Sequence, residues 1–218
     1  MKIPGGVAAI AVSAVLTTAL AACGGGSDAK VSIDNMQKTA DKMIAAGDTN
    51  SCPLGFDVNA ALKKAGITAT AKPSDGAHSP LAAYAESATN ATRLSPLYQR
   101  GGAVINCAYT LSSGGSLKAT LFGVRVFKAM PIVAPQLSHD AQAEVSELDS
   151  FISKKLDTGK AMVTPGDGRA AIEALDTAGG DAVLEVTTDD PDSSLKAGPV
   201  LGEPLRKLTE ALGKQVRV

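Results

Sequence analysis

The chain has no tryptophan, and its few phenylalanines and tyrosines bring the aromatics to only 3% of 218 residues. Stacking platforms for sugars or bases need exposed aromatic rings, so this inventory argues against a carbohydrate or single-strand nucleic-acid binder. Charge is equally unhelpful to a nucleic-acid reading. Lys and Arg number 21 against 22 Asp and Glu, with neither a basic excess nor an acidic tail. Histidine occurs twice, His78 in a Pro/Gly-rich loop and His139 near the expected start of a helix, and both are read as solvated surface residues. Neither belongs to an HExxH pair and no GxSxG is present, which removes the zincin site and the strained nucleophile elbow.

Other short patterns are equally bland. Asp189, Asp190 and Asp192 cluster, but Pro191 interrupts them, and the central Gly and distant Glu of a calcium loop are missing. Gly166-Asp167-Gly168 lacks the following Lys-Ser/Thr of a phosphate cradle and is read as a turn. Asn90-Ala91-Thr92 matches a glycosylation sequon, a three-residue pattern that carries little weight by itself. No metal and no cofactor is expected.

What is present begins at the N-terminus. After Lys2 there is no charge up to Ser27, and Val7 to Ala19 is an apolar run of the length of a signal-peptide core. A permanent membrane span would need about 20 apolar residues. Here Pro4, Gly5 and Gly6 weaken the start, and Ser13, Thr17 and Thr18 dilute the middle. Leu20-Ala21-Ala22-Cys23 closely resembles the lipobox of bacterial lipoproteins. The resemblance implies that residues 1–22 are a signal peptide and that Cys23 carries diacylglycerol after cleavage. Two or more acyl chains anchor durably where one does not. Residues 23–30, with Gly24-Gly25-Gly26-Ser27, would then be the lipidated cysteine and a flexible tether. The expected location is the extracytoplasmic face of a cell membrane.

With Cys23 assigned to lipid, Cys52 and Cys107 remain as a pair in an oxidising compartment. A bridge between them would close a loop of about 55 residues and stabilise by roughly 4 kcal/mol. The rival, a redox or metal-binding thiol pair, has neither CxxC spacing nor a nearby histidine in its favour.

Residues 31–218 are read as one domain. Ile33, Met36, Ala40, Met43 and Ile44 share one face of a helix from Ile33 to Ala46, ending at Gly47. A second helix spans Val58 to Ala65, between Asp57 as N-cap and Gly66 as terminator. Residues 68–103 are the least readable, and Ala82 to Ala88 could be a helical turn or an edge strand. Val104 to Leu111 and Leu117 to Phe127 read as a hairpin around Ser112 to Ser116, the second strand covered on both faces. Arg125 interrupts that strand as a paired core charge, a snorkelling edge residue or part of a ligand site.

The spacing of Ala141, Val145, Leu148, Ile152 and Leu156 predicts one long helix from about His139 to Leu156, with Ser138 as its cap. Beyond it, Ala161 to Val163 reads as a short strand and Pro165 to Gly168 as a turn. Ala170 to Leu175 and Ala182 to Thr188 read as a hairpin, Thr187 to Ser194 as a loop, and Pro204 to Leu212 as a final helix. The order predicts an α+β fold, an antiparallel sheet packed against helices in a single domain with one disulfide. With the cysteine pair and the Gly-Asp turn, this order resembles a group of actinobacterial lipoproteins whose domain is similar to the PsbP-like α+β fold. That resemblance implies no catalytic residues. The expectation is a non-enzymatic accessory or binding domain with an envelope protein partner. The alternative is a carrier of lipid or another apolar small molecule, decided by whether a cavity or an exposed apolar patch is found.

Overall fold

Ser32 opens the first helix with its own hydroxyl, which accepts from the Asn35 amide at 3.4 Å. In the computed structural model, residues 31–47, 50–75, 82–141, 143–189 and 200–218 are described. The signal-peptide and tether readings, Cys23, His78, Asp190 and Asp192 lie outside them. A short strand, β1 (Val31–Ser32), leads into α1 (Ile33–Ala46), which buries Ile33, Met36, Ala40 and Met43 and stops at left-handed Gly47. α2 (Val58–Ala65) has the expected Asp57 cap, its Oδ1 accepting from the Ala60 amide at 2.9 Å.

Then come β2 (Ala71–Pro73), β3 (Ala83–Ser87), α3 (Pro96–Arg100), β4 (Ala103–Leu111) and β5 (Ser116–Val124). These are followed by α4 (Met130–Ala141), α5 (Val145–Ile152), β6 (Ala161–Val163) and β7 (Ala170–Ala174). β8 (Thr177–Ala178), β9 (Asp181–Asp189) and α6 (Glu203–Gly213) complete the order.

The main sheet is antiparallel throughout, in the order β2-β4-β5-β9-β7-β6. β3 pairs with β4 on the same edge as β2, so the two short strands lie end to end along it. Of the two readings of Ala82 to Ala88 the edge strand holds, over Ala83–Ser87. β1 pairs in parallel with β8 as a separate ribbon.

The fold is α+β, with helices on both faces of one sheet. Alternation along the strands divides the apolar side chains. Leu117, Ala119 and Leu121 of β5 join Leu184 and Val186 of β9 in a core with α1, α2 and α6. Phe122, Val124, Ile172 and Val183 point the other way, against Met130, Val133, Leu137, Leu148 and Phe151 of α4 and α5. Cys52 and Cys107 form a disulfide that fixes the α1–α2 connection to β4 in the first core.

Three expectations need correction. The single helix from His139 to Leu156 is two helices, α4 starting nine residues earlier at Met130 and α5 starting at Val145. Pro131 lies in the first turn of α4, where its missing N–H costs nothing. Pro135 is carried because Met130, Val133, Leu137 and Ala141 bury a continuous stripe. The real break is where the β6–β7 turn passes. A Cβ on Gly166, held at φ +87°, would lie 2.8 Å from the Ala141 carbonyl oxygen.

The second correction concerns β5, which ends at Val124 and not at Phe127. The Arg125 and Val126 amides donate to the Arg100 carbonyl at 3.1 and 3.3 Å, drawing the chain off the sheet towards α3. Third, Thr187 and Thr188, read both as the end of a strand and as the start of a loop, are strand. They are buried in β9, opposite Lys118 and Leu117.

Candidate binding sites

Cross-strand partners in an antiparallel sheet share a face, and the face under α4 and α5 is polar at one end and apolar at the other. At the polar end Ala108, Lys118, Thr187 and Ala170 form one row, and Asn106, Thr120, Glu185 and Ile172 the next. Lys118 Nζ reaches Asp140 Oδ2 on α4 at 2.7 Å. Asp140 also faces His139 Nδ1 at 3.0 Å and receives Gln136 Nε2 at 3.4 Å. Burial pushes the Asp140 carboxyl up, but the bonds from Lys118 and His139, with the Lys118 charge, outweigh it and hold it below the usual range.

Glu185 lies beside this pair with no exposed surface, and among the described residues neither carboxyl oxygen has a hydrogen-bond partner. Its neighbour Thr120 is already engaged, accepting from Asn106 Nδ2 at 2.7 Å. Burial, with the Asp140 charge adding to it and Lys118 opposing, pushes the Glu185 pKa up to about 8. At neutral pH it is mostly a protonated acid inside the protein.

Lys118, His139, Asp140, Arg169, Thr187 and Asp189 are among the residues lining a cleft of about 350 Å³ above this cluster. Its cations already hold carboxylates, Lys118 on Asp140 and Arg169 on Asp167. His139 is 89% exposed at its side chain, and among the described residues no hydroxyl or thiol is bonded to it. A nucleophile–base pair is therefore not assembled here. Among the described residues, no group of three or more His, Cys, Asp or Glu is placed to hold a metal ion.

At the apolar end a groove of about 490 Å³ opens between the first turn of α4, the end of α5, and β7 and β9. Met130, Pro131, Ile152, Leu156, Ala174 and Val183 supply its apolar wall. Lys128, Lys154 and Lys155 stand around it, with Asp181 as its one acid. Asp181 is occupied: its Oδ2 accepts from the Ala129 amide at 2.7 Å and its Oδ1 faces Lys128 Nζ at 3.3 Å. Among the described residues, Lys154 and Lys155 have no carboxylate partner.

A third feature lies beyond the end of β5. Phe127 has φ 67°, the one non-glycine residue with positive φ among the described residues, and is 79% exposed. The Arg100 guanidinium lies over its ring at 5.4 Å from the centroid, and Arg100 Nη1 donates to the Lys128 carbonyl at 3.1 Å. Val126, Tyr98 and Leu94, on the two adjoining segments, are exposed as well. Arg125 is neither a core charge nor a ligand residue of either cavity. It is an exposed clamp, paired with Asp34 and bonded to Gln37 Oε1 at 2.8 Å on α1.

Of the residues singled out in the sequence and described in the structure, Cys52 and Cys107 are bonded to each other, and His139 and Asp189 meet in the lining of the polar cleft without a bond between them. Glu185 and Lys118 were overlooked although each interrupts an apolar strand, the same signal that drew notice to Arg125. The conformation of Phe127 has no such signal, because nothing in Arg-Val-Phe-Lys requires a left-handed residue. No family model matches the chain, and neither the curated proteins nor the solved structures contain a match to it.

Proposed function

We propose that this chain is a bacterial lipoprotein of actinobacterial type, anchored through Cys23 at the outer face of the cell membrane. Its domain, of PsbP-like character, acts by binding an envelope protein and not by catalysis. The observation that favours binding is Phe127, a large apolar ring presented to solvent in a conformation that costs an L-residue about 1–2 kcal/mol. Such strain persists only where the surroundings hold it, as Arg100 does here, and it concentrates at functional surfaces. Exposed Val126, Tyr98 and Leu94 extend the apolar character, and Arg100 and Arg125 supply a polar rim. The anchor rests on the Leu20-Ala21-Ala22-Cys23 motif, and no helix among the described residues is long and apolar enough to cross a membrane.

The test is the mass of the protein drawn gently from its own membranes, native and then denatured. A denatured mass of residues 23–218 plus diacylglycerol-type lipid, less two hydrogens, is expected. An uncut or unlipidated chain refutes the anchor. The native complex should carry a protein partner that Phe127→Asp releases, and a partner retained by that variant refutes the surface.

A second reading, a carrier of lipid or another apolar small molecule, is favoured by the groove beside α4 and α5. Its volume lies within the range of about 300–1,000 Å³ typical of small-molecule sites.

A further inference from the structure

We infer that the groove between α4, α5, β7 and β9 binds a single-chain fatty acid, its chain against Ile152, Leu156 and Val183 and its carboxylate at Lys154 and Lys155. This rests on the carrier reading and adds the identity of the ligand. The chemistry of the wall selects an apolar body: Met130, Pro131, Ile152, Leu156, Ala174 and Val183 offer no fixed donor or acceptor from their side chains. The rim selects the sign of the head group. Asp181 is satisfied by the Ala129 amide and Lys128, so the charges left over are the two ammonium groups of Lys154 and Lys155. An anion at the mouth gains both, whereas a cationic or neutral head gains neither.

The chain path places this mouth near the source of such a ligand. Val31, the first described residue, pairs with Thr177, three residues beyond Ala174 of the groove wall, and Ala174 itself bridges to Thr158, two residues past Leu156. Residues 24–30 are all that separate Cys23 from Val31, and the eight steps between the two reach at most about 29 Å. In the anchored form, the groove is therefore held within a short distance of the membrane, where fatty acids partition. The polar cleft around Lys118 lacks these features, because each of its cations already holds a carboxylate.

The test uses the full chain in lipid nanodiscs with trace photoreactive dodecanoic acid or, separately, photoreactive dodecanol, and maps the labelled residues by mass. Expected is labelling by the acid at Met130, Ile152, Leu156 or Val183, reduced about fivefold by the double variant Lys154→Glu and Lys155→Glu. Dodecanol labelling should be unchanged by that variant, which also controls for its folding. If acid and alcohol both label the groove and the variant affects neither, the anionic head group is refuted while the carrier reading survives. If neither probe labels those residues in the unaltered chain, both the fatty acid and the carrier reading fall.

Discussion

Lys118 on β5 is bonded across the interlayer space to Asp140 on α4, Nζ to Oδ2 at 2.7 Å, while the Glu185 carboxyl next to them on β9 has no hydrogen-bond partner among the described residues. One cation thus serves two carboxyl groups whose proton affinities move in opposite directions. Asp140 is held ionised by direct bonds, and Glu185 is held protonated by burial with the Asp140 charge nearby.

The pH dependence of stability follows from Glu185. Its proton is bound more tightly in the folded protein, at about 8 against an ordinary 4.5. That contribution is complete below pH 4.5 and is lost as pH rises towards 8, at up to about 1.4 kcal/mol per pH unit. Glu185→Gln removes the titration. In urea unfolding the variant should show a much flatter pH profile between 5 and 8, and at pH 8 it should be the more stable protein. An unchanged slope would mean that another group controls it. Asp140, with its lowered pKa, acts oppositely: its contribution is present above the ordinary carboxylate range and lost on further acidification.

The disulfide predicts a loss that does not depend on pH. Cys52 and Cys107 are separated by 55 positions, and removing the cross-link frees the unfolded chain by about 4 kcal/mol in the chain-entropy account. Cys107 is fully buried in the main core, so Cys107→Ser would also bury a hydroxyl. Cys52→Ala with Cys107→Ala therefore isolates the cross-link better. The urea midpoint of that double variant should fall to match the reduced parent, and a midpoint at the oxidised value would contradict the assignment.

The legible parts of the fold were those where one local signal sufficed. α1 and α2 carry a capping side chain, an apolar stripe and a terminal glycine in agreement, and both were located to the residue. The α4–α5 region was misread because a single apolar spacing runs from Ala141 to Leu156 straight across the break, while the break itself depends on a turn more than 20 residues away in sequence. Likewise β5 was drawn three residues too far at its end, since that end is set by Arg100 and not by its own apolar pattern. The groove was anticipated only as a question, because a cavity is set by how two distant layers meet and not by any single segment.

Gly166 tests that account of the break. Its φ of +87° disfavours any L side chain by about 1–2 kcal/mol, and an added Cβ would press on the Ala141 carbonyl. Gly166→Ala should lose at least about 2 kcal/mol in urea unfolding. Gly179 offers the control: it too has positive φ, but a Cβ there would meet nothing within 4 Å. Gly179→Ala should therefore lose only the backbone part. Equal losses at the two sites would remove the role assigned to the close approach at the α4–α5 break.

Phe127 supplies the sharpest separation of stability from binding. Truncating the ring to Ala or to Gly removes the same contact with Arg100, so the two variants differ almost wholly in backbone preference at φ 67°. Glycine tolerates that conformation where alanine is strained, which predicts that Phe127→Gly is more stable than Phe127→Ala by about 1 kcal/mol. Elsewhere in a folded chain glycine is ordinarily the less stable of the two, so the sign itself is diagnostic. Both variants should lose the proposed partner equally, because recognition depends on the ring and not on the backbone that presents it. A stability order with alanine ahead would mean that the left-handed turn relaxes once the ring is gone. Glycine alone retaining the partner would show that the turn's backbone, and not the ring, is what the partner reads.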